Sequence, residues 1–414
     1  MSLQKALKAV ERKEFEKAKT LLEPVCEGDV DKKRWRAWTL LSLAYLELRN
    51  PHRAYQASLV GSSRNAPLAE FVKTKTMYIL DMDDKLKQLE HTVKIDRECL
   101  YTLKLASCLS EIEGAELLEA CAKKASNEEK CIKMFYRAAQ KYSKNGRKKD
   151  ALRNFQEVVN LISSSSSSSS FKDYCEIAQY KVAALGNKAN NNNNKIERAP
   201  KSYIKRLYDS FASTFDETLV KKLSYRTPSE ISSLIATLNM SFAQGLDLGC
   251  GTGLSGLALR KFVSESLVGV DLSDSMIELA RQRGIYEELH VTDIVNFMQK
   301  SKTTFDLIVS CDVFVYLGDL NITFDHVSKS LSPNGVFAFS TEQQIGCGKD
   351  EECCKLPYIL DTTKRFKHCS KYIMSLSNTH GFSLIRCLSG RVIRTQGKSN
   401  VKGDIFLLRR KPSS

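Results

Sequence analysis

The segment GLDLGCGTGL, residues 245–254, decides the fold of this chain. It begins as a short apolar strand that contains Asp247, and it continues with a glycine at every second position. These glycines are Gly249, Gly251 and Gly253. Alternate glycines allow φ values that other residues avoid, and they let the backbone approach a ligand closely. A segment rich in leucine and alanine follows over 255–262, so the order of strand, glycine turn and helix predicts the first unit of a doubly wound α/β nucleotide-binding domain.

The glycine spacing alone leaves two kinds of nucleotide open. Gly251-x-Gly253-x-x-Gly256 also satisfies the fingerprint of dinucleotide-binding domains. Asp247 argues against a dinucleotide, because a pyrophosphate needs bare N–H groups and positive potential. A carboxylate at this position suits a cationic group, such as the amino acid end of S-adenosylmethionine.

Two further predicted strands also end in an acid. The segment 267–271 ends in Asp271, which can accept ribose hydroxyls in either type of nucleotide site. The segment 289–293 ends in Asp293, where a carboxylate can accept the exocyclic N–H of adenine, with Ile294 against the ring. Three acids at three strand ends favour S-adenosylmethionine over a dinucleotide.

The bulk composition describes an ordinary folded chain. A length of 414 residues predicts about two or three domains. The net charge of +15 is spread over both halves of the chain, so a dedicated nucleic-acid surface is not expected. The 13 cysteines have no framework spacing, and the chain contains neither a signal-peptide pattern nor a run of 18 apolar residues. We therefore expect a cytoplasmic protein with reduced thiols and no membrane contact.

Residues 1–186 contain almost no glycine or proline and show helical periodicity. One set of large and small residues recurs with the same spacing. The first copy is Trp38, Ser42, Tyr45, Ala54, Ser58 and Gly61, and the second is Phe135, Ala139, Tyr142, Ala151, Phe155 and Val158. This spacing matches the helix-turn-helix repeat of about 34 residues, so we predict a degenerate all-α tetratricopeptide-like solenoid with its Trp and Tyr positions in the core. Such arrays commonly bind a partner, and the alternative is that this one only packs on the second domain.

Two low-complexity runs mark the domain organisation. The serine run 163–170 is predicted to be an insertion in an inter-helix turn, and the asparagine run 190–194 lies in a linker. The predicted domains are therefore 1–186 for the repeats, 187–199 for the linker and 200–414 for the α/β domain.

The segment 203–219 precedes the first strand and is predicted to form one or two helices. Tyr208, Phe211 and Phe215 share one face at helical spacing. This face either packs on the sheet or forms a lid that excludes water from the cofactor. Farther along, Ser273 can cap a helix that ends at Gly284.

The remaining α/β elements follow in a regular order. A fourth strand over 305–311 leads into a loop at the carboxyl edge of the sheet, where open α/β domains bind ligands. A fifth strand covers 336–340, and a helix is predicted over 362–381. The segments 382–387 and 404–409 are predicted to form an antiparallel hairpin at the edge of a mostly parallel sheet.

These residues together resemble the class I S-adenosylmethionine-dependent methyltransferases, which have a Rossmann-like fold. The resemblance covers roughly 200–414, and the chain is more narrowly similar to methyltransferases that carry N-terminal tetratricopeptide repeats. The residues that carry the narrower likeness are Ala183-Ala184-Leu185-Gly186, Phe211, Phe215-Asp216, Leu219-Val220, Tyr225-Arg226, Pro228, Arg365-Phe366, His368 and Tyr372.

The resemblance implies a role for each residue of the cofactor site. The backbone of Gly249, Gly251 and Gly253 would support the methionine moiety, with Asp247 behind it. Asp271 would bind the ribose hydroxyls, and adenine would lie between Leu272, Asp293 and Ile294. Apart from the resemblance, Met276 faces inward on the helix after Ser273 and is expected to touch adenine. Cys311 and Asp312 would line the face where the methyl group is transferred.

Methyl transfer to a nucleophile is an SN2 displacement for which the protein mainly supplies alignment. His368 is the best candidate for a base because its unperturbed pKa is near 6.5, and the alternative is a histidine bonded structurally to the backbone. Tyr316 and Tyr208 are weaker candidates, and Asp312 either orients the substrate or caps a helix.

No metal site is predicted. The cysteines Cys347, Cys353, Cys354 and Cys369 fit no zinc spacing. The loop after the fourth strand also lacks the Asn/Asp-Pro-Pro-aromatic signature of enzymes that methylate base amines, which argues against a nucleic-acid substrate.

The sequence therefore predicts S-adenosylmethionine-dependent methyl transfer to a small-molecule or protein acceptor, with the repeats as a partner- or substrate-binding module. The alternatives are an adaptor whose methyltransferase fold no longer turns over, and a nicotinamide dehydrogenase. The nucleophile is not specified, because carboxylates, hydroxyls, amines and thiols are all methylated on this scaffold.

Overall fold

The computed structural model describes residues 2–26, 35–62, 67–80, 82, 106, 111–125, 127–164, 171–186, 196–218, 225–344, 356–396 and 399–412. The chain divides into two compact units, Met1–Ser169 and Ser170–Ser414. The cysteine-rich segment 346–355 and the asparagine run lie outside the described residues. Of the serine run, only Ser163 and Ser164 are described, and they end a helix.

The first unit is helical. Its described helices are α1 (Ser2–Glu11), α2 (Phe15–Cys26), α3 (Trp35–Glu47), α4 (Pro51–Gly61), α5 (Pro67–Ile79), α6 (Glu111–Lys124), α7 (Glu128–Lys144) and α8 (Lys148–Ser164). Helices that are consecutive in α1–α5 and in α6–α8 pack against each other. Local chemistry sets their ends: the Asn127 side chain accepts from the Lys130 amide at 3.0 Å, with Glu128 and Glu129 in the first turn of α7.

The recurring positions found in the sequence are buried, with one exception. Tyr45 and Tyr142 are buried, as predicted for the core, whereas Trp38 is half-buried. A Cβ atom at Gly61 would lie 2.8 Å from the Thr39 Oγ1 atom, so a small residue is needed for α4 to approach α3. The helical character of this unit is confirmed, and the solenoid arrangement stays a prediction.

The second unit is an α/β domain. Its helices are α9 (Lys172–Gly186), α10 (Lys201–Phe211), α11 (Thr227–Ala236), α12 (Leu254–Leu259), α13 (Asp274–Gln282), α14 (Ile294–Lys300), α15 (Asn321–Ser330) and α16 (Ser370–Thr379). Its strands are β1 (Phe242–Leu248), β2 (Val263–Asp271), β3 (Glu288–Val291), β4 (Phe305–Ser310), β5 (Leu331–Gln343), β6 (Tyr358–Leu360), β7 (Phe366–His368), β8 (Phe382–Gln396) and β9 (Ser399–Arg410).

The sheet has a parallel centre and an antiparallel edge. Strands β3, β2, β1, β4 and β5 are adjacent in that order and parallel. Strand β9 pairs antiparallel with β5 and with β8, which confirms the predicted closing hairpin. Leu246 and Leu307 lie in hydrophobic clusters on opposite faces of the sheet, so the central strands are apolar almost throughout.

Two predictions about element boundaries are wrong. The helix predicted over 362–381 begins only at Ser370, because Phe366 and His368 are buried in strand β7 with Lys367 between them, a period of two rather than 3.6. The predicted boundary after residue 186 lies too late, because α9 belongs to the second unit. The Tyr180 hydroxyl of α9 donates to the Lys364 carbonyl at 2.7 Å.

In the described part of the chain, every helix is too short or too polar to cross a lipid bilayer.

Candidate active site

One cavity of about 390 Å³ lies at the carboxyl edge of the second unit's sheet. This is the edge at which open α/β domains bind ligands, and the volume suits a small-molecule site. The residues at and after the carboxyl ends of β1, β2, β3 and β4 form its floor, and α10 with the turns after it covers one side. The floor residues are Gly249, Cys250, Gly251, Thr252, Asp271, Leu272, Asp293, Ile294, Cys311, Asp312 and Val313.

The glycine loop after β1 needs its glycines for backbone geometry. Gly249, Gly251 and Gly253 have φ values of 72°, 54° and 91°, which other residues rarely adopt. A Cβ atom at Gly249 would lie 2.2 Å from the Val313 Cγ2 atom. A Cβ at Gly251 would meet only Phe215, at 3.8 Å, so the backbone there is open to a ligand. Gly253 does not line the cavity and instead precedes helix α12.

Asp271 holds the glycine loop to the end of β2. Its Oδ2 atom accepts from the Gly251 amide at 3.0 Å, and its Oδ1 atom accepts from the Ser273 amide at 2.9 Å. Burial raises the pKa of this carboxyl group, although the backbone N–H groups of Ser273 and Gly251 act in the opposite direction. Leu272 lines the cavity beside it.

Asp293 is already paired in the cavity wall. It caps α14 through the Asn296 amide at 3.3 Å, and its Oδ2 atom accepts from the Arg198 Nη2 at 2.7 Å, with the Lys201 Nζ at 3.4 Å. Burial alone would raise the pKa of Asp293, but the hydrogen bond and charge of Arg198 outweigh it and the pKa is lowered. Ile294 follows Asp293 in the cavity wall.

Arg198 is a cavity residue that the sequence analysis missed, because it lies in the segment assigned to the linker. The backbone of Arg198 forms a β-bridge with Leu317, and the Ala199 amide donates to the Tyr316 carbonyl at 2.8 Å. These backbone contacts hold Arg198 in the cavity wall.

Asp247 does not share the cavity with Asp271 and Asp293, which corrects the prediction that three carboxylates meet there. It is fully buried, and its Oδ2 atom accepts from the Ser255 hydroxyl at 2.6 Å and the Tyr286 hydroxyl at 2.7 Å. Among the described residues, its Oδ1 atom has no hydrogen-bond partner. Burial raises the pKa of Asp247 to about 6.

Met276 also lies away from the cavity, contrary to the prediction that it touches adenine. It is fully buried in α13 and does not belong to the cavity wall. The helix itself begins as predicted, since the Ser273 hydroxyl accepts from the Met276 amide at 3.2 Å. The backbone turns back at Gly284, where φ is 63°.

The wall after β4 carries a network of charges. Asp312, with φ at 55°, accepts from the Ser340 hydroxyl at 2.7 Å and from the Thr227 hydroxyl at 3.2 Å. Its Oδ2 atom is also 3.4 Å from the Arg394 Nη1, and a second nitrogen of Arg394 donates to the Glu342 carboxylate. This network ties the β4 loop to the edge strands.

The cavity wall also contains Tyr208, Tyr225 and Tyr316. The Tyr208 hydroxyl of α10 donates to the Tyr316 hydroxyl at 3.1 Å, and the two rings are perpendicular with centroids 5.8 Å apart. Burial, followed by the charge of Tyr316, raises the pKa of Tyr208, and burial likewise raises the pKa of Tyr225. Both phenols therefore remain protonated at neutral pH.

His368 does not lie at the cavity. It is a fully buried residue of β7 rather than of a helix, and its Nε2 atom is 3.1 Å from the Gly318 carbonyl oxygen. Burial lowers its pKa to about 4. The geometry is that of a histidine bonded structurally to the backbone, which was the alternative left open by the sequence.

The segment 201–218 covers the cavity, and we call it the lid segment. Ile204, Leu207, Tyr208, Phe211 and Phe215 line the cavity from this side.

Side-chain contacts tie the lid segment to the nucleotide side of the cavity. The Ser273 hydroxyl donates to Asp209 at 2.5 Å, and the Thr252 hydroxyl donates to Asp216 at 2.5 Å. Arg283 pairs with the other oxygen of Asp216. The aromatic face is thus part of the cavity wall.

The described residues fit S-adenosylmethionine at one end of this cavity. The open backbone at Gly251 provides room for a ligand, and Asp271 lines the cavity beside it. Among the described residues, no group of three or more His, Cys, Asp or Glu side chains is placed to hold a metal ion.

Comparison with protein families identifies the class of this domain. Residues 246–337, from β1 into β5, match the family described as "Methyltransferase domain". This part of the chain is therefore a methyltransferase domain, and its cofactor is S-adenosylmethionine. This finding decides between the two kinds of nucleotide that the glycine spacing left open.

Curated relatives resemble this domain over part of their length. The chain is 29% identical over 146 residues to a malonyl-[acyl-carrier protein] O-methyltransferase of Priestia megaterium, covering 34% of this chain and 52% of the relative. It is 25% identical over 125 residues to a ubiquinone biosynthesis O-methyltransferase of Coxiella burnetii, covering 30% and 53%. The chain spans about half the length of these curated relatives.

Among solved structures, a magnesium protoporphyrin IX methyltransferase from Synechocystis with bound S-adenosylhomocysteine is similar, at a TM-score of 0.37 and 16% identity. The match covers 51% of this chain and 99% of that one.

Proposed function

We propose that the chain is an active S-adenosylmethionine-dependent methyltransferase that acts on a small-molecule or protein-bound acceptor. The observation that carries this proposal is one cavity whose wall holds both the glycine loop and a group of tyrosines. We call the part of the wall with the glycine loop, Asp271 and Asp293 the nucleotide end. We call the part with Asp312, Tyr208, Tyr225 and Tyr316 the acceptor end.

The nucleotide end suits each part of the cofactor. The backbone of Gly249 and Gly251 would contact the methionine moiety, and Gly253 with Asp247 would support the loop from behind. Asp271 would accept the ribose hydroxyls, because its two oxygens are oriented by backbone N–H groups. Leu272 and Ile294 would pack against adenine, with Asp293 at the adenine edge.

The acceptor end would orient the nucleophile. The bound cofactor supplies an electrophilic methyl group on a sulfonium, so alignment is the main task of the protein. Alignment of the reacting groups can lower the barrier by about 7–11 kcal/mol. Cys311 would line the transfer path, while Asp312, Tyr208 and Tyr316 would position the acceptor. His368 is not retained as a base, because it is buried outside the cavity wall.

The lid segment would exclude water during transfer. Its aromatic residues cover the cavity and are held by Asp209 and Asp216 to the residues that follow β1 and β2. Exclusion of water strengthens the electrostatic interactions inside the cavity and protects the sulfonium from hydrolysis.

We further propose that the helical repeats bind a partner or a protein acceptor. The paired packing of α3 with α4 and of α7 with α8 supports this proposal, because stacked helix pairs form the binding surfaces of repeat proteins.

Calorimetry with S-adenosylhomocysteine tests the cofactor assignment. We expect the full chain to bind it and Asp271→Ala to weaken binding about tenfold or more, because a charge-assisted hydrogen bond contributes about 1.5–3 kcal/mol. Asp325→Ala is the matched control, since Asp325 is a surface acid on α15 that pairs with Lys329. No binding by the wild type, or equal affinity in Asp271→Ala, contradicts the proposal.

A further inference from the structure

Backbone hydrogen bonds on both sides of Arg198 fix this residue beside the cavity. The Glu197 carbonyl accepts from the Gly318 amide at 2.6 Å, and the Ala199 amide donates to the Tyr316 carbonyl at 2.8 Å. Arg198 lies between these two contacts and lines the cavity. Its position is therefore set by the main chain and does not require a bound cofactor.

The side chain of Arg198 is directed to Asp293. Its Nη2 atom donates to the Asp293 Oδ2 at 2.7 Å, and only 4% of the Asp293 side chain is exposed. The structure describes one further cation beside this carboxylate, the Lys201 Nζ at 3.4 Å. Lys201 is more distant than Arg198 and also more exposed, at 45% against 37% of the side chain. Arg198 is therefore the stronger partner of Asp293.

The charge of Arg198 decides which form of Asp293 faces the cavity. Burial acts to raise the pKa of Asp293, and the hydrogen bond and charge of Arg198 outweigh burial, so the pKa is lowered. An ionised carboxylate accepts hydrogen bonds that are about twice as strong as those between neutral groups. A protonated carboxyl group loses this advantage and presents an O–H donor, which an amino group that donates its own N–H cannot use.

Asp293 keeps room for one more donor while it is paired. Its Oδ1 atom accepts from the Asn296 amide at 3.3 Å, and its Oδ2 atom accepts from Arg198. The two oxygens of a carboxylate offer about four acceptor sites in total. A donor from a ligand in the cavity can therefore be added without breaking the ion pair.

We propose that Arg198 is a positioning residue for cofactor recognition, which holds the Asp293 carboxylate charged and oriented to accept the 6-amino group of adenine. This inference rests on the proposed function, which assigns Asp293 to the adenine edge. Arg198 precedes the region 246–337 that matches the methyltransferase family, so recognition of the cofactor would depend on a segment outside that match.

Calorimetry on the full chain tests this inference with two ligands. One is S-adenosylhomocysteine, and the other is its analogue in which hydrogen replaces the 6-amino group of adenine. We expect the wild type to bind S-adenosylhomocysteine about tenfold more tightly than the analogue, because only the former donates to an ionised carboxylate. In Arg198→Met this preference should fall to about threefold or less, with the affinity for the analogue unchanged within about twofold. A residue with a merely structural role would weaken both ligands alike.

The pH profile gives a second readout. The wild type should keep its preference from about pH 8 to about pH 5, because Arg198 lowers the pKa of Asp293. Without Arg198, burial raises this pKa, so in Arg198→Met the preference should decrease as the pH falls over that range and Asp293 takes up a proton. The analogue serves as the reference at each pH.

Three further variants keep the result interpretable. Arg198→Gln keeps a neutral hydrogen-bond donor, and it should show the same fall on acidification even if Arg198→Met does not fold. Arg198→Lys restores a positive charge and should recover part of the preference. Lys201→Met removes the more distant cation and should keep most of the preference, since Arg198 still pairs with Asp293.

The outcomes separate the inference from the function on which it rests. If S-adenosylhomocysteine does not bind to the wild type, both fall. If it binds without preference over the analogue, or if Arg198→Met and Arg198→Gln keep the wild-type preference and pH profile, the role of Arg198 is wrong and the methyltransferase proposal stands. An equal loss for both ligands in Arg198→Met, or an equal loss of preference in Lys201→Met, also overturns the role of Arg198.

Discussion

Gly249 shows how one residue controls the geometry of the site. Its backbone has φ at 72°, and a side chain there would collide with Val313 of the loop after β4. The glycine therefore serves both the turn after β1 and the contact between two strand ends. Both strand ends contribute residues to the cavity floor.

We expect Gly249→Ala to weaken S-adenosylhomocysteine binding and to destabilise the fold. Gly284→Ala is a matched control, since Gly284 has φ at 63° but no atom within 4 Å of an added Cβ. Both variants strain the backbone by about 1–2 kcal/mol, and only Gly249→Ala adds a steric cost of about 1–3 kcal/mol. Urea unfolding and calorimetry measure the two effects. Equal losses in both variants would show that the contact with Val313 is unimportant.

Asp247 should make the stability of the cofactor-free protein depend on pH. Burial raises its pKa from 3.8 to about 6, so its proton is held more tightly in the folded state than in the unfolded state. The resulting stabilisation is complete below about pH 4 and is lost as the pH rises through 6. In the wild type, Asp247 should lower the free energy of unfolding by about 2–3 kcal/mol between pH 4 and pH 7. Asp247→Asn cannot titrate at this position, so it should lose this part of the pH dependence. An unchanged difference in the variant would assign the pH dependence to other groups.

At the scale of elements, the lid segment and the strand ends enclose the cavity together. The first part of the lid segment packs in a hydrophobic cluster through Ile204, Leu207 and Tyr208, whereas Asp216 near its end is held by polar contacts with Thr252 and Arg283. Elements held by few buried contacts open most easily. The end of the lid segment around Asp216 is therefore the part expected to move when the cofactor exchanges.

Removal of one lid contact should speed the release of the cofactor. Asp216→Ala breaks the contacts with Thr252 and Arg283. Because Asp216 is 45% exposed, its contacts should stabilise the closed lid by only about 0.5–1 kcal/mol. We therefore expect the dissociation rate of S-adenosylmethionine to rise about twofold to fivefold. Stopped-flow fluorescence measures the rate, with Glu217→Ala in the same helical turn as the control. A rate equal to that of the wild type would mean that Asp216 does not restrain the lid.

At the scale of the whole molecule, helix α9 belongs to the catalytic unit although the sequence groups it with the repeats. Tyr180 is fully buried in a cluster that also contains Ala184, Val315 and Phe366. This cluster lies beside the wall formed by the loop after β4, so α9 supports the site indirectly.

A fragment that begins at Phe171 should therefore be more stable than one that begins at residue 187. Loss of Tyr180 and its neighbours from a packed cluster costs about 3–5 kcal/mol. Urea unfolding of fragments 171–414 and 187–414, each with S-adenosylhomocysteine, compares them. If the shorter fragment is equally stable, the assignment of α9 to this unit is incorrect.

The local sequence was sufficient to predict the parallel strands, the glycine loop, the Ser273 cap and the closing hairpin. Each of these depends on residues adjacent along the chain, through backbone φ, side-chain period or a neighbouring hydrogen bond. Asp271 and Asp293 could be assigned to the cavity edge for the same reason, because parallel strands end at one edge of the sheet.

Only the tertiary structure decided which other side chains reach the cavity. Arg198, Arg365 and Arg394 come from segments far apart in the sequence, and no local pattern relates them. Asp247 and His368 have side chains suited to the chemistry, yet both are turned into the core. The direction of a side chain depends on how its strand packs against elements that are distant in sequence, and this packing is absent from any local pattern.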